Sequence, residues 1–304
     1  MYLTFKSEAE RQNHPIAKLI PAALWHDEQL FNNGLSDKLI EFLTQPLDKL
    51  HHRSQYGFLY QGRVIALLCI LLHLPDEPLD SIVTFAANKL DLKESDVFRC
   101  AAMLGHIDKL TLLTHDYGQE QVYELVKENN NYSEYSEFTA FIKAAENGQH
   151  NVLQWIAEHV SEEQLSEMIQ FWGYKALRFS AMNGQIDTVQ WLISKGFALQ
   201  KDAVPHMFKK AFSYAGAGGH LDIIQWVAGQ VSAEELSLII QRKGDGVLRH
   251  AASEGRLDVL QWIAERVSVE ELILMLQKKD FHNIAYRAFI DAASNGRLDV
   301  LQWI

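Results

Sequence analysis

Cysteine, long apolar runs and positive charge are all scarce in this chain. Its 304 residues include two cysteines, Cys69 and Cys100, and these form no CxxC pair or disulfide framework, which indicates a reducing compartment. The longest apolar run covers residues 64–72, whereas a bilayer-spanning helix needs about 20 apolar residues. Residues 1–6 lack the basic segment and apolar core of a signal peptide. We therefore expect a cytoplasmic protein without membrane insertion.

The shortage of positive charge bears on possible partners. The chain has 28 lysines and arginines against 39 acidic residues, a formal net charge of -11. Nucleic-acid binding needs a basic face, so nucleic acid is not expected as a partner. An acidic chain suits a basic or neutral protein surface. The alternative is that the acidity only confers solubility.

Motifs that carry chemistry are missing as well. The sequence has no phosphate loop, no HExxH zinc helix, no GxSxG nucleophile turn and no EF-hand loop. Its 13 histidines show no metal-ligand spacing; in the tightest pair, His51-His52, the side chains would point about 100° apart on a helix. We predict no catalytic residue, no metal site and no cofactor.

The sequence does contain an internal repeat. Residues 251–263 read Ala-Ala-Ser-Glu-Gly-Arg-Leu-Asp-Val-Leu-Gln-Trp-Ile, and residues 292–304 differ from them only at Asn295. Four earlier segments follow the same form, and the first of them, which begins at Ala101, matches at fewer positions. Each copy has one aligned glycine, and these repeat glycines define units 1 to 6 in chain order: Gly105, Gly148, Gly184, Gly219, Gly255 and Gly296.

Each repeat segment predicts two packed helices. The small alanine pair lets helices approach closely, and the glycine ends the first helix in a left-handed conformation. An aspartate three residues later, such as Asp258, lies in the first turn of the second helix, where the helix dipole favours it. Leu257, Leu260 and Ile263 then form an apolar stripe at helical spacing.

A third helix is predicted in four units. Capping boxes begin at Ser161, Ser232 and Ser268, each with Glu or Gln three residues later and apolar residues at helical spacing beyond. Unit 1 has apolar residues at the same distance from its glycine. Unit 3 differs, because after its second helix it reads Ser194-Lys-Gly-Phe-Ala198.

The pattern Ala-Ala-x-x-Gly-His/Arg-Leu-Asp-Val-Leu resembles the helical half of the ankyrin repeat. The resemblance implies an all-α, ankyrin-like solenoid of six divergent repeats over residues 95–304, the last incomplete, and a monomer that binds another protein. The Thr-Pro-Leu-His start and most of the β-hairpin signature of the family are absent. Ser194-Lys-Gly-Phe-Ala198 of unit 3 resembles the usual end of a family unit, and His106 and His220 follow their repeat glycines, where the family commonly has a structural histidine. Three helices in about 42 residues also describe armadillo units, but the Ala-Ala-x-x-Gly-x-x-Asp core favours ankyrin.

The two ends of the chain leave alternatives open. Residues 1–94 carry helical patterns without a clear copy of the repeat, and form either a cap that shields unit 1 or a separate helical module. A decayed copy around Gly34 is a third interpretation. The sequence stops inside the second helix of unit 6, so we expect a fragment of a longer protein. An alternative function is thus the targeting region of an enzyme whose catalytic domain lies beyond residue 304.

The resemblance also suggests where a partner would bind. In ankyrin proteins the concave groove is lined by the hairpin region and by the two residues before the repeat glycine. The matching pairs singled out as candidates are Glu146, Asn147, Met182, Asn183, Ser253 and Glu254. The hairpin-equivalent stretches supply an aromatic group consisting of Tyr135, Phe138, Phe171, Trp172 and Tyr174. Alternatively, these rings are buried as core.

Two further interpretations concern the repeated tryptophans and the origin of the chain. A tryptophan recurs at one position in five units, and its regularity favours packing between units over an aromatic ligand ladder. Decayed ankyrin arrays joined to unfamiliar helical modules resemble the effectors that intracellular bacteria secrete to act in the host cytoplasm.

Overall fold

The computed structural model describes residues 93–128, 138–277 and 287–303, together with Leu79 and Val83. Within these ranges all regular structure is helical and no strand is present. The all-α prediction is therefore confirmed.

Every unit contains the predicted pair of helices. The first helices are Glu94–Leu104, Thr139–Glu146, residues 175–182, Val204–Gly218, the C-terminal part of Ala233–Glu254 and Arg287–Ser294. The second helices are Ile107–Leu113, His150–His159, Ile186–Leu199, Leu221–Gln230, Leu257–Ala264 and Leu298–Trp303. All six repeat glycines between them have φ between 67° and 85°, which confirms the predicted left-handed turns.

The third helices are also confirmed in units 1, 2, 4 and 5. They are Gln119–Lys127, residues 162–170, the first part of Ala233–Glu254, and Val269–Gln277. The capping boxes form as predicted: the Ser161 hydroxyl accepts from the Gln164 amide at 3.2 Å, and the Gln164 side chain accepts from the Ser161 amide at 2.9 Å. The same pair of bonds forms at Ser232 and at Ser268.

Unit 3 departs from the family-like ending that its sequence suggested. Its second helix continues through Gly196 to Leu199, and a single 3-10 turn, Lys201–Ala203, leads into unit 4. Gly196 is buried, and the Met207 sulfur lies closer than van der Waals contact to the position that a β-carbon on this glycine would take. The close helix packing at Gly196 explains why the chain does not end its helix there.

The first helices stack in chain order, because each one contacts the first helix of the next unit. The buried alanine pairs lie at this interface. Trp155 packs on Phe98 of unit 1, with 6.2 Å between ring centroids, and Trp262 packs on Phe212 of unit 4 at 6.3 Å. Both tryptophans are 7% exposed, so the packing interpretation of the repeated tryptophan is confirmed here.

A second inter-unit contact was not predicted in full. The side chain that follows each repeat glycine, which we call the rung side chain, lies over the glycine of the preceding unit. The rung side chains with such a glycine beneath them are Gln149, Gln185, His220, Arg256 and Arg297. His220 Nε2 lies 2.9 Å from the Met182 carbonyl oxygen, and Arg297 Nε donates to the Ser253 carbonyl at 3.1 Å. The predicted structural role of His220 is confirmed.

Candidate functional site

The connection between units 2 and 3 has an unusual backbone. Residues 162–182 form helices on either side of a break, at which Trp172, Gly173 and Tyr174 have φ of 46°, 67° and 64°. A left-handed conformation costs a residue with a side chain about 1–2 kcal/mol. Such strain persists where the surrounding structure fixes it, and it is common at functional sites. Here the break determines which aromatic rings face inward.

The predicted aromatic group is divided by this break. Phe138 is fully buried; its ring centroid lies 5.1 Å from that of Phe171 and 6.0 Å from that of Tyr123. The prediction that Phe138 binds a partner is wrong, because its ring belongs to the core. Phe171 and Tyr174 are half-buried against the same core. Trp172 is 48% exposed, and Tyr135 lies outside the described residues.

The exposed ring of Trp172 lies beside cationic side chains of the first helix of unit 3. Lys175 Nζ is 5.1 Å from its ring centroid, and Arg178 Cζ is 5.4 Å away. Arg178 Cζ also lies 5.1 Å from the ring of Tyr214, which belongs to unit 4. All three distances fall within the range of cation–π attraction. We call the surface formed by Lys143, Trp172, Lys175, Arg178, Phe179, Met182 and Tyr214 the Trp172 surface.

Helical spacing explains why these side chains share a face. Lys175, Phe179 and Met182 are spaced four and three residues apart, so they lie one above another on the first helix. Met182 is 44% exposed. Lys175 Nζ also lies 5.8 Å from the ring of Phe179. A cationic group and two apolar groups therefore share one partly exposed face.

The electrostatics of this surface are opposite in sign to those of the whole chain. The pKa of Lys175 is lowered, first by burial and then by the nearby charges of Lys143 and Arg178, while Glu146 opposes the shift. Lys143 Nζ bonds to Glu146 at 2.6 Å. Among the residues that the structure describes here, three cations thus gather near one carboxylate on a chain of net charge -11, which favours a local positive potential at the Trp172 surface.

The other candidate residues are partly engaged in contacts within the array. Asn147 donates to the Lys143 carbonyl at 2.8 Å, and Asn183 donates to the Glu146 carbonyl of the preceding unit at 3.1 Å. The Ser253 hydroxyl accepts from Asn295 at 3.0 Å. Glu254 is exposed and belongs to unit 5. The structure brings Asn183 of unit 3 against Glu146 of unit 2, with Met182 next to Asn183 on the same helix, whereas Ser253 and Glu254 lie two units further along the chain than Met182 and Asn183.

Several residues of the Trp172 surface were missed by the sequence analysis. Lys143, Phe179 and Tyr214 all lie five residues before a repeat glycine, and His250 follows the same rule in unit 5. The alignment of the units therefore shows this position, but the prediction used only the two positions before each glycine and the hairpin-equivalent stretches.

Neither a metal site nor a membrane-spanning helix is found among the described residues. The described residues hold no group of three or more His, Cys, Asp or Glu side chains that could bind a metal ion. In the same ranges no helix has the length and apolar character needed to cross a membrane. Cys100 is 1% exposed and packs in the core.

Helical pairs stacked through left-handed glycine turns define an all-α repeat solenoid. Residues 98–203 match the family model described as ankyrin repeats, in three copies; this range covers units 1 to 3. Residues 98–203 therefore match ankyrin repeats, as the sequence pattern predicted. A solved ankyrin repeat family protein from Legionella pneumophila is similar at 19% identity, with 99% of this chain and 94% of that chain covered and a TM-score of 0.43. No curated protein sequence matches the chain.

Proposed function

We propose that this chain is a protein-interaction scaffold that binds a partner protein on the stacked first helices, with the Trp172 surface at the centre. Ankyrin repeats are generally protein–protein interaction modules. The observation that carries the proposal is the exposed ring of Trp172, which a strained connection holds between two cations.

The composition of this surface supports binding to protein. Trp, Tyr and Arg dominate interface hot spots, because each combines a large contact area with a polar or charged group. A cation over a ring gains energy when water is excluded from it. A partner that covers Trp172 would strengthen its contacts with Lys175 and Arg178. Its own complementary groups would be carboxylates, since the local charge is positive.

Replacement of Trp172 by glycine tests the proposal. Glycine accepts the left-handed conformation at position 172, so Trp172→Gly should leave folding intact while it removes the exposed ring. We expect partner proteins captured by the wild-type chain to be lost from the variant. Quantitative pull-down of the captured proteins, with thermal unfolding of both chains, provides the measurement.

Phe197→Ala is the matched control for this experiment. Phe197 is a comparably exposed ring, at 56%, but it lies near the end of the second helix of unit 3. Its removal should not change the captured proteins. Equal capture by wild type and Trp172→Gly would exclude the Trp172 surface as the binding site, and equal loss in both variants would show that capture is non-specific.

The proposed site of action is the cytoplasm, and specifically that of a host cell if the chain derives from a secreted bacterial effector. Its support is the combination seen in the sequence, in which divergent ankyrin units follow an N-terminal region of a different pattern. A fusion of the full-length protein to a translocation reporter tests this part. A reporter signal confined to the bacteria would exclude a host target.

A further inference from the structure

The third helices of neighbouring units contact one another, and the contacts use matching helix faces. Between units 1 and 2, Gln164 donates to Glu120 at 3.0 Å, and the Tyr123 hydroxyl donates to Glu167 at 2.6 Å. Glu120 and Tyr123 are the 15th and 18th residues after their repeat glycine. These two positions of a unit therefore face the third helix of the next unit.

The contact between units 4 and 5 uses the same helix face. Gln241, the 22nd residue after Gly219, donates to Glu271 of the next third helix at 3.5 Å. Glu271 is the 16th residue after its own repeat glycine, as is Gln164 in unit 2. Positions 15, 18 and 22 of one third helix thus face the helix that follows it.

In unit 2 these three positions are Glu163, Ser166 and Gln170, and unit 3 has no third helix to face them. All three side chains instead line an open cleft of about 650 Å³. Leu199 and Gln200, at the end of the second helix of unit 3, form the opposite wall. The cleft therefore lies where the regular array would place one more helix. We call it the vacant-helix cleft.

The chemistry of the vacant-helix cleft indicates what could fill it. Eight residues line it: Glu162, Glu163, Ser166, Glu167, Gln170, Phe171, Leu199 and Gln200. None of these eight is basic, three are glutamates, and Phe171 and Leu199 supply apolar surface. A helix fits this lining when it places apolar side chains on Phe171 and Leu199 and directs lysine or arginine toward the glutamates.

We propose that the vacant-helix cleft receives a basic amphipathic helix of a partner protein, which completes the layer of third helices between units 2 and 4. The side chains that line the cleft occupy the helix face that contacts a following third helix in other units, which specifies a helix, and the charge of the lining specifies a basic one. The lining of this site shares no residue with the Trp172 surface, and the proposal does not depend on that surface.

Titration of the whole chain with two labelled peptides tests the proposal. Both peptides have about 18 residues, enough for a helix to form on a surface, and the same leucine stripe; one carries lysine at its other positions and the other carries glutamate. We expect saturable binding of the lysine peptide in fluorescence anisotropy, with a gain in helical circular dichroism. The glutamate peptide should bind at least about tenfold more weakly.

A matched pair of charge reversals places the peptide in the cleft. Glu163→Lys should weaken the lysine peptide by about tenfold. Glu234→Lys is the control, because Glu234 is the 15th residue after Gly219 but is followed by the third helix of unit 5. Both variants change the net charge equally and alter the same turn of a capped helix. Thermal unfolding of both variants should therefore be alike.

Four results would overturn the proposal: no saturable binding of the lysine peptide, equal affinity for the two peptides, binding without helix formation, or equal weakening by Glu163→Lys and Glu234→Lys. Trp172→Gly should leave the affinity for the lysine peptide unchanged. Glu163→Lys therefore tests the cleft proposal and Trp172→Gly tests the Trp172 surface, so that failure of one can be told from failure of the other.

Discussion

At the scale of single residues, the repeat glycines are fixed both by backbone conformation and by space. Gly184 has φ of 74°, and a β-carbon there would lie 2.5 Å from Cε1 of the rung side chain His220. Gly184→Ala should lower the free energy of unfolding by about 2 kcal/mol, because alanine resists the left-handed conformation and displaces the imidazole. Urea-induced unfolding monitored by circular dichroism measures the difference.

Gly229→Ala provides the control for that substitution. Gly229 lies in the second helix of unit 4, and nothing is within 4 Å of the position its β-carbon would take. Alanine there should raise stability by about 0.5–1 kcal/mol through helix propensity. If the two alanine variants change stability alike, neither the turn conformation nor the His220 contact sets the requirement at Gly184.

The sequence predicted the left-handed turns at the repeat glycines, but it could not predict which aromatic rings are buried and which are exposed. A left-handed turn and its aspartate partner lie within a few residues of each other, so the local pattern determines them. Phe138 and Trp172 both belong to stretches between helices, and their composition gives no indication of burial. The backbone reversal at residues 172–174 decides that one ring is core and the other is exposed, and this reversal has no local signature beyond Gly173.

At the scale of elements, the capping boxes stabilise the third helices individually. In unit 4 the Ser232 hydroxyl accepts from the Glu235 amide at 3.2 Å. Ser232→Ala should cost about 1 kcal/mol, because an amide at the helix start loses its acceptor. Hydrogen exchange at the Glu235 amide should accelerate first, and equilibrium unfolding should show the loss.

Glu235→Gln is the conservative control for the cap, since unit 2 uses Gln164 at the same position with both bonds formed. That variant should keep the stability of the wild type. A similar loss in Glu235→Gln and Ser232→Ala would show that charge at the helix start, and not the serine hydroxyl, provides the stabilisation.

The third helices were predictable because each capping box closes within three residues. The contacts between third helices could not be predicted, because these hydrogen bonds join residues 30 to 44 positions apart. The pattern within a single unit carries no information about them. Unit 3 shows the same limit. Gly196 looked like a unit ending, yet its helix continues because Met207, from the next helix, packs against it.

At the scale of the whole molecule, the array consists of units that contact mainly their neighbours, so damage should stay local. Leu260 is fully buried in unit 5, and Leu260→Ala should cost about 2–5 kcal/mol there. Hydrogen exchange monitored by mass spectrometry should show faster exchange in units 4 to 6 and unchanged protection in units 1 and 2.

Leu238→Ala is the control at this scale. Leu238 is 48% exposed on the third helix of unit 4, so its truncation should change exchange little anywhere. Loss of protection spread evenly over all described units in Leu260→Ala would instead show that the array unfolds as one cooperative body.

The rung side chains have a consequence for how this array can be cut and recombined. Each one is encoded in one unit but covers the glycine of the unit before it, and the residues used change along the chain from glutamine to histidine to arginine. A unit excised at its helix boundaries and placed before a different unit would have its repeat glycine covered by a different rung side chain. A module that can be transferred therefore includes the rung residue of the next unit. Chimeras assembled with that overlap should keep the contact between rung side chain and glycine at each junction.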